Sequence, residues 1–415
     1  MKTLVLFLLL VPFFSFSQIK EVPNISALEN TKGSRDAVVF VKGYVDTGDG
    51  GEGFFRYDAV ATEVVEGMLV ETSDGLSGGR WVRMNYGDLD VAFFGARGND
   101  LLDDTLAIQE AIDFAANHGR LQIRMRSGTF LVDSLVLRKG TKIKGDFLGT
   151  TLKSHEDAVR KTGNAAFISI DYNPVFYVLL ENLTLDGNNH HKVGILIEGK
   201  KKNDVHGGLW KSRFSNIQIR RFNSHGIFLK GGNQFSEKTP NQFLSFENVR
   251  VKRNSLAGVN SLRMEGQNGQ INFLNCTFDA LNFSLAPPSS WNVFIERLPE
   301  QEGVSAIVKF DTCTIQNALG GIYMSGVENI KVDGCWFENI GKSIFVTNKS
   351  RGIAVVDSRF ANASGYGKGQ LGFIIYANKG SRVSFNRNVV AGPYNELWLE
   401  GLEGQIETNN NSVPE

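Results

Sequence analysis

The chain has 415 residues, of which 42% are hydrophobic, and its 44 basic residues balance 44 acidic ones. This content is sufficient for a large folded core and excludes a disordered chain. The zero net charge gives no general attraction to nucleic acid or to an acidic membrane, so we expect neither as a partner. The 45 glycines and 9 prolines favour short strands joined by tight turns over a helical bundle.

The N-terminus has the pattern of a secretory signal peptide. Lys2 precedes an apolar run from Leu4 to Phe14, and a small-residue pattern ends at Ser17. We expect cleavage after Ser17 and a secreted, periplasmic or cell-surface location. The run is shorter than the ~20 residues that span a bilayer, and no later stretch is long enough, so no membrane span is predicted.

The segment from Asp103 to Gly119 has the pattern of an α-helix, because a polar start precedes apolar residues at helical spacing and the segment ends in glycine. Its apolar positions are Leu106, Ile108, Ala111, Ile112 and Ala115. We expect this apolar stripe to cover the open end of the strand-rich region that follows, with the acidic start acting as the helix cap.

A short phrase recurs from about residue 163 to residue 411, in which a polar residue precedes alternating apolar positions. The phrases are Asn182–Leu185, Asn216–Ile219, Asn248–Val251, Asn275–Phe278, Thr312–Ile315, Gly334–Phe337, Asp357–Phe360 and Arg387–Val390. Their spacing varies above a minimum of about 22 residues, which is typical of a solenoid whose coils carry loops.

Each phrase belongs to a set of three strands. A second strand follows it, as at Gly194–Glu198, and a third precedes it, as at Phe243–Phe246. Three strands per turn predict an all-β, right-handed parallel β-helix, in which equivalent residues of successive coils stack about 4.8 Å apart. The asparagines at the start of the phrases suit a left-handed bend with amide hydrogen bonds along the stack.

The three cysteines occupy the inward position that follows this polar residue: Cys276, Cys313 and Cys335. Their number is odd, and they lack the spacing of a metal site or a CxxC motif. We expect them to be small buried hydrophobic residues, with a metal or redox role as the alternative.

Several segments resemble the opening of the pectate-lyase-like β-helix superfamily, which includes polygalacturonase-related enzymes, rhamnogalacturonases, epimerases and phage tailspikes. They are Asp88–Asp100, Asp103–Asp113, Gly128–Val132, Gly48–Asp58 and Gly79–Trp81. After the predicted signal peptide over 1–17, the resemblance implies an N-terminal β segment over 18–87 and a β-helix over 88–415. It implies no single activity, because the superfamily contains lyases, hydrolases, epimerases and non-catalytic binders.

The coil with Ser224–Leu229 is placed like a strand that lines the substrate cleft of polygalacturonases. The paired aspartates that those hydrolases carry one coil earlier are replaced here by Asp186–Lys192, and their Asn-Thr-Asp motif is absent. An inverting hydrolase needs one carboxylic acid and one carboxylate. The departure from the motif therefore favours a different catalytic base.

Outward-facing residues of the second strands should stack into one stripe that binds the substrate. The predicted substrate-binding residues are Glu198, Phe228, Glu265, Tyr323, Phe345 and Trp398, and the predicted catalytic residues are His190, His191, His225, Lys230 and Arg263. Aromatic faces beside cations suit an anionic sugar chain. A histidine, lysine or arginine could then remove the proton next to a neutralised uronate carboxylate. The alternative is that the basic residues form a solvated surface.

Two further features bear on the site. Calcium is a candidate metal ion, with Asp171, Asp186, Asp204 and Asp279 as its possible ligands, although their spacing does not match a calcium-binding motif. A long insertion between Phe283 and Val304 is expected to form a wall of the cleft.

We therefore expect a secreted enzyme that degrades an anionic polysaccharide, uronic or sulfated, with β-elimination preferred. One alternative is a glycoside hydrolase of the same fold that uses Glu198, Glu265 or Asp186. Another is a non-catalytic carbohydrate-binding or adhesive β-helix. The sequence leaves open whether the protein is a monomer or a trimer.

Overall fold

The computed structural model describes residues 19–73, 78–84, 86–147, 149–156, 166–171, 175–199, 201–202, 205–232, 239–252, 260–280, 291–298, 302–361, 372–391 and 396–413. The chain divides into two compact units between Tyr86 and Gly87. The predicted signal peptide lies outside the described residues. Within the described ranges, no helix has the length and apolar character needed to cross a bilayer.

The first unit is a small mixed sheet with a short helix. Its strands are β1 (Lys20–Val22), β2 (Val38–Val41), β3 (Gly53–Asp58), β4 (Leu69–Glu71) and β5 (Arg80–Arg83), in the order β1-β2-β3-β5-β4, and helix α1 spans Ile25–Glu29. Asn24 caps α1, since its side chain accepts a hydrogen bond from the Ala27 N–H group at 2.9 Å. Phe55 and Trp81 are fully buried and centre the core of this unit.

The second unit is a parallel β-helix, as the sequence predicted, with three strands in a regular coil. Its strands are β6 (Leu89–Asp90), β7 (Gln122–Arg124), β8 (Gly128–Val132), β9 (Leu135–Leu137), β10 (Lys142–Lys144), β11 (Thr150–Ser154), β12 (Ala166–Ile170), β13 (Val175–Phe176), β14 (Leu179–Asp186), β15 (Val193–Glu198), β16 (Lys201–Lys202), β17 (Val205–His206), β18 (Leu209–Arg220), β19 (His225–Lys230), β20 (Asn241–Glu247), β21 (Arg250–Lys252), β22 (Asn260–Glu265), β23 (Asn268–Leu274), β24 (Thr277–Asp279), β25 (Trp291–Glu296), β26 (Ser305–Asp311), β27 (Thr314–Ser325), β28 (Glu328–Asp333), β29 (Trp336–Thr347), β30 (Ile353–Val356), β31 (Arg359–Ala361), β32 (Phe373–Ala377), β33 (Arg382–Asn386), β34 (Val389–Ala391), β35 (Glu396–Glu400) and β36 (Gln405–Asn409). Strands β16 and β17 form a separate antiparallel pair.

The interior is filled by side chains that alternate with outward ones along every strand. Phe214, Phe246, Phe273 and Phe310 occupy one inward position in successive coils and are all fully buried. Their neighbouring ring centroids lie 4.7, 5.0 and 5.0 Å apart. A residue dozens of positions away in sequence is therefore a direct neighbour in the core.

The asparagine corner has the predicted structure. Asn182, Asn216, Asn248 and Asn275 have left-handed backbones, with φ between 52° and 60°. The amide of Asn248 donates to Asn216 at 3.0 Å, and the amide of Asn216 donates to Asn182 at 3.1 Å. Each amide is thus satisfied by its neighbour in the stack.

The cysteines share one interior column, as predicted. Cys276, Cys313 and Cys335 are free and buried, and each precedes a residue of one register column formed by Thr277, Thr314 and Trp336. Their thiols donate to the backbone oxygens of Phe246, Phe273 and Phe310 at 3.3 to 3.5 Å. These contacts fit the packing role.

Helix α2 (Thr105–Asn117) follows a 3₁₀ turn at Val91–Phe94 and packs on β6, β7 and β9 at the start of the β-helix. Its buried stripe contains Ile108 and Ile112, but Leu106, expected in the stripe, is 78% exposed. The reason is that Leu106 is two residues from Ile108, so it lies about 200° around the helix axis from the buried stripe. Asp103 accepts a hydrogen bond from the Thr105 N–H group at 2.9 Å. Asp104 is the N-cap residue, but its side chain makes no capping hydrogen bond, so of the two only Asp103 satisfies an N–H group of the first turn.

Candidate functional site

One strand of each coil carries the predicted stripe. These wall strands are β15, β19, β22, β25, the later parts of β27 and β29, and β32, paired in parallel. Their register aligns an aromatic column, which contains Leu196, Phe228, Arg263, Phe294, Tyr323, Phe345 and Tyr376. Two residues further along, it aligns a charged column of Glu198, Lys230, Glu265, Glu296, Ser325 and Thr347. The two columns together are called the wall below.

The charged side chains of the wall bind one another across neighbouring coils. Lys230 Nζ lies 2.8 Å from Glu198 Oε1. Arg263 Nε lies 2.5 Å from Glu265 Oε1, and Arg263 Nη2 lies 2.9 Å from Glu296 Oε1. One guanidinium group therefore holds two carboxyl groups from adjacent coils.

The two carboxyl groups at Arg263 are poorly hydrated. The Glu265 side chain is 8% exposed and the Glu296 side chain 20% exposed. Burial raises the pKa of Glu296, and although Arg263 opposes this effect, the Glu265 carboxylate adds to it, so the pKa is raised overall. A carboxyl group with a raised pKa keeps its proton to higher pH, as a general acid must.

The Tyr323 hydroxyl group belongs to the same cluster. Burial raises the pKa of Tyr323, a hydrogen bond with Ser325 lowers it, and the charge of Glu296 raises it further. The net shift is upward, so the hydroxyl group stays protonated and can donate a hydrogen bond.

The aromatic column does not present ring faces in the way that the sequence analysis expected. The Tyr323 ring stacks on Phe294, with centroids 4.4 Å apart, and on Phe345, with centroids 5.4 Å apart. Both interplanar angles are close to 10°. Since these neighbours cover both faces of Tyr323, a ligand would meet the ring edge and the hydroxyl group.

His225 lies beneath the wall. It is 8% exposed, its ring meets Phe228 edge to face at 5.2 Å, and its Nδ1 has no hydrogen-bond partner among the described residues. Burial, and secondarily the charge of Arg263, lowers its pKa to about 4. His225 is therefore neutral at neutral pH, but it is a weak base and largely covered.

The other two predicted histidines are not on the wall. His191 is fully buried, and its Nδ1 shares a 2.7 Å hydrogen bond with Ser154. Burial lowers the pKa of His191 to about 4. His190 lies in the turn after β14, where its N–H group donates to Gly187 at 2.8 Å. Neither residue belongs to the two columns that contain Lys230 and Arg263.

The strand register changes the prediction for Trp398. Trp398 was expected to face outward, but it pairs with Ile375 of the inward position, whereas Leu399 pairs with Tyr376. The register contradicts that orientation, because β35 pairs with β32 one residue out of step with the expected alternation, which reverses its faces.

Asp186, an alternative catalytic carboxyl group, is buried and ion-paired with Arg220 at 2.9 Å. Burial raises the pKa of Asp186, but its hydrogen bonds and arginine partners lower it overall.

Sequence reasoning missed Glu296 and Phe294. It assigned them to the insertion between Phe283 and Val304, whereas the structure places Trp291–Glu296 as a wall strand. The signal was present, since Val293 and Ile295 are buried and alternate with Phe294 and Glu296. Residues 281–290 and 299–301 of the predicted insertion lie outside the described residues.

Nothing in the described part of the chain assembles a metal site from at least three histidine, cysteine or acidic residues. Of the four calcium candidates, Asp171 binds Arg138 at 3.0 Å, and Asp279 accepts hydrogen bonds from Gln316 and Asn317. Asp186 is held by its arginines, and Asp204 lies outside the described residues.

Two family models match the chain. A model described as phage tail protein small four-stranded beta-sheet domain matches residues 21–86. A model described as rhamnogalacturonase A/epimerase, pectate lyase-like, matches residues 89–369. No curated protein matches the chain significantly.

Solved structures with a similar fold include bacteriophage tailspikes. Tailspike gp49 of Acinetobacter baumannii bacteriophage Fri1, described as a capsular polysaccharide depolymerase, has a TM-score of 0.65 at 16% identity, over 95% of this chain and 76% of that one. Tailspike gp42 of Acinetobacter phage AS12 has a TM-score of 0.61 at 15% identity, over 94% and 73%. The enzymatically active domain of bacteriophage CBA120 tailspike protein 2 has a TM-score of 0.60 at 19% identity, over 89% and 57%. At these identities the likeness shows the fold alone.

Proposed function

Because the chain belongs to the rhamnogalacturonase A/epimerase, pectate lyase-like family, we propose that it is an enzyme that hydrolyses a polysaccharide along the wall. The observation that carries the proposal is the pair of carboxyl groups, Glu265 and Glu296, held by Arg263 at 2.5 and 2.9 Å. The description of the Fri1 tailspike as a capsular polysaccharide depolymerase supports a polysaccharide as the substrate.

The cluster contains the groups that glycoside hydrolysis needs. One carboxylic acid must protonate the leaving oxygen, and a second carboxyl group, as the carboxylate, must activate water or attack the sugar. We assign the acid to Glu296, whose pKa is raised, and the second role to Glu265. As the glycosidic C–O bond breaks, the Glu296 proton passes to the leaving oxygen, the water oxygen becomes bonded to the anomeric carbon, and Glu265 takes up the proton that the water releases. Arg263 positions both carboxyl groups.

The charges of the wall favour a neutral glycan over the anionic one that the sequence pattern favoured. Lys230 and Arg263 face three carboxyl groups, those of Glu198, Glu265 and Glu296. No positive charge of this cluster is left over to neutralise a uronate or a sulfate group.

β-Elimination is the second candidate. His225, kept neutral by burial, lies next to Phe228 and is close enough to Arg263 for that charge to lower its pKa. As a base it would take the proton next to a uronate carboxylate, and the electron pair would form a double bond while the glycosidic oxygen leaves. The product is an unsaturated uronate that absorbs in the ultraviolet.

The test is an assay of neutral, uronic and sulfated polysaccharides for reducing ends and for ultraviolet absorbance. We expect new reducing ends without absorbance. Glu296→Gln and Glu265→Gln should each lower the rate by about 10²- to 10⁴-fold. Glu296→Gln should leave the unfolding free energy unchanged or higher, because it removes a poorly hydrated acid. The matched control is Glu328→Gln, which removes a carboxylate paired with Arg351 on another strand.

Three outcomes would contradict hydrolysis by this cluster. Absorbance that grows with the reducing ends would favour elimination. Retention on a polysaccharide gel without any new reducing ends would favour a non-catalytic binding or adhesive protein. Full activity of Glu296→Gln would remove that residue from the mechanism.

We also propose that the protein is exported and that it is either a monomer or a trimer. We expect the mature N-terminus at Gln18, after cleavage behind Ser17, which N-terminal sequencing of the secreted protein checks. Light scattering of the same sample distinguishes a monomer from a trimer.

A further inference from the structure

A second column of left-handed residues runs along another corner of the β-helix. Its members are Gly140, Tyr177, Lys211, Phe243, Gln270, Ile307, Asn329 and Gly352. From Tyr177 to Asn329 they lie in successive coils, because the residue before each one is paired in register with its counterpart in the next coil.

The residues in the middle of this column adopt a left-handed backbone conformation that is energetically unfavourable for their residue types. Tyr177, Lys211, Phe243, Gln270 and Ile307 have φ between 51° and 61°. In this region a Cβ atom crowds the backbone, and a β-branched or bulky side chain is a genuine outlier. At both ends of the same column the chain uses glycine or asparagine, which accept the conformation readily. Glycine or asparagine would fit here with less backbone strain. The presence of these other residues therefore indicates that their side chains have a function.

The side chains of these strained residues are also exposed. Tyr177 is 48% exposed, Phe243 47% and Ile307 57%, while Lys211 and Gln270 lie at the surface between them. We call these five residues the corner ridge. Unlike Tyr323 on the wall, Tyr177 and Phe243 are held outward at a corner. Exposed apolar side chains that line up along one edge, with polar residues between them, are a candidate binding surface.

We infer that the corner ridge is a second binding surface for a linear polysaccharide, which lies along the helix axis. This rests on the proposed function only in taking a polysaccharide as the ligand. Apolar side chains recur at every second coil, at Tyr177, Phe243 and Ile307, so they are spaced by about 10 Å, twice the strand separation. A disaccharide unit has a similar length. Each apolar side chain would then meet the same sugar of successive repeats.

The polar members of the ridge fit the same occupant. Lys211 lies between Tyr177 and Phe243 in the column, with its Nζ 6.0 Å from the Tyr177 ring centroid. Gln270 lies between Phe243 and Ile307. Their ammonium and amide groups can bind the hydroxyl groups of the intervening sugars. A protein partner would be expected to cover a broader patch with a continuous apolar centre.

The ridge lies one corner away from the wall. In the coil of β22 and β23, only residues 266–269 separate Glu265 of the charged column from Gln270 of the ridge. A polymer held on the ridge would raise the local concentration of polymer at the neighbouring wall. The two surfaces have separate readouts, retention for the ridge and bond cleavage for the wall.

The test replaces Tyr177→Asn and Phe243→Asn together, in a Glu296→Gln background that does not consume the polymer. Asparagine keeps the left-handed backbone, as at Asn329, so we expect an unchanged or higher unfolding midpoint. Retardation in native gels cast with bacterial capsular polysaccharide, xanthan or dextran should weaken roughly ten- to hundredfold, because two aromatic contacts are lost. The control is Trp336→Ala, because Trp336 is an aromatic residue with 40% exposure outside the ridge, and it should leave retardation unchanged.

Several outcomes would overturn the inference. Unchanged retardation of the double variant, or retardation by none of the polymers, would remove the ridge as a glycan surface. A lower unfolding midpoint would give the two side chains a structural role. A smaller mass by light scattering with unchanged retardation would show that the ridge binds a second copy of the chain. Cleavage that fails while ridge-dependent retardation persists would overturn the proposed function alone.

Discussion

Arg263 is the residue on which the charge arrangement of the wall depends. It binds Glu265 on its own strand and Glu296 on the next coil, and its charge also lowers the pKa of His225 below it. The sequence analysis placed Arg263 and Glu265 on one outward stripe and named His225 as a separate catalytic candidate. It gave Arg263 the role of a base or of a partner for the substrate, whereas its guanidinium group is already occupied by carboxyl groups.

At the residue scale, His225→Asn should make the protein more resistant to acid. Because the pKa of His225 falls from 6.5 to about 4 on folding, the unfolded chain takes up its proton first as the pH falls. The unfolding free energy therefore declines from pH 6.5 to pH 4, by on the order of 2 to 3 kcal/mol for this group, and the variant should lack that decline. Denaturant unfolding of both proteins at pH 7 and pH 4 measures it.

Other groups also titrate in this pH range. His191, with a pKa of about 4, adds a decline of the same sign, whereas Asp104, whose pKa burial raises to about 6, gains stability as the pH falls. The contribution of His225 is therefore the difference between the unfolding free energies of wild type and variant at each pH. Parallel pH curves would mean that His225 is hydrated in solution. Loss of cleavage in His225→Asn at pH 7, with its stability intact, would restore it as a candidate base.

At the element scale, the inward phenylalanine stack sets the stability of the coils. Phe273 lies between Phe246 and Phe310, with centroids 5.0 Å from each, and is fully buried. Phe273→Ala should lower the unfolding free energy by about 3 to 5 kcal/mol, because it removes the ring and leaves a cavity.

The adjacent residue supplies the control for that prediction. Leu274 points outward on the same strand and is 42% exposed, so Leu274→Ala should change the unfolding free energy by no more than about 0.5 kcal/mol. Chemical unfolding measures both variants. Equal losses would mean that the two side chains do not face opposite sides of β23.

Strand alternation could be predicted wherever the repeated phrase marked the coil. The phrase identified the Asn216, Asn248 and Asn275 corner, and the structure shows their amide ladder. The repeated phrase does not mark β25, because the segments beside this strand are irregular in length. The sequence analysis therefore placed Phe294 and Glu296 in a loop. Period alone cannot place a strand between insertions of unknown length.

At the scale of the whole molecule, the cysteine column reports on the integrity of the solenoid. Cys276, Cys313 and Cys335 lie in three successive coils and are at most 1% exposed. The Cys276 thiol and burial raise the pKa of Cys313, although the Cys335 thiol opposes them, and the Cys313 thiol and burial raise the pKa of Cys335. We expect no thiol to react with a disulfide reagent in the native protein and all three to react in denaturant.

Thiol labelling over time checks this expectation, with a free thiol in the same buffer as the control. Labelling of one cysteine at the rate of the free thiol would mean that its coil opens locally. A single slow rate for all three would mean that these coils open together.

The sequence by itself determined the coil, the inward columns and the end cap, because each depends on a local pattern that recurs along the chain. Only the tertiary structure decided which outward side chains meet. Arg263 and Glu296 become partners because their strands pair in register, although 33 residues separate them in the chain. That register depends on how the loops between coils fold, and loop length in the sequence does not determine it. The same stacking places strained, exposed side chains in one ridge, a feature for which the sequence carries no local signal.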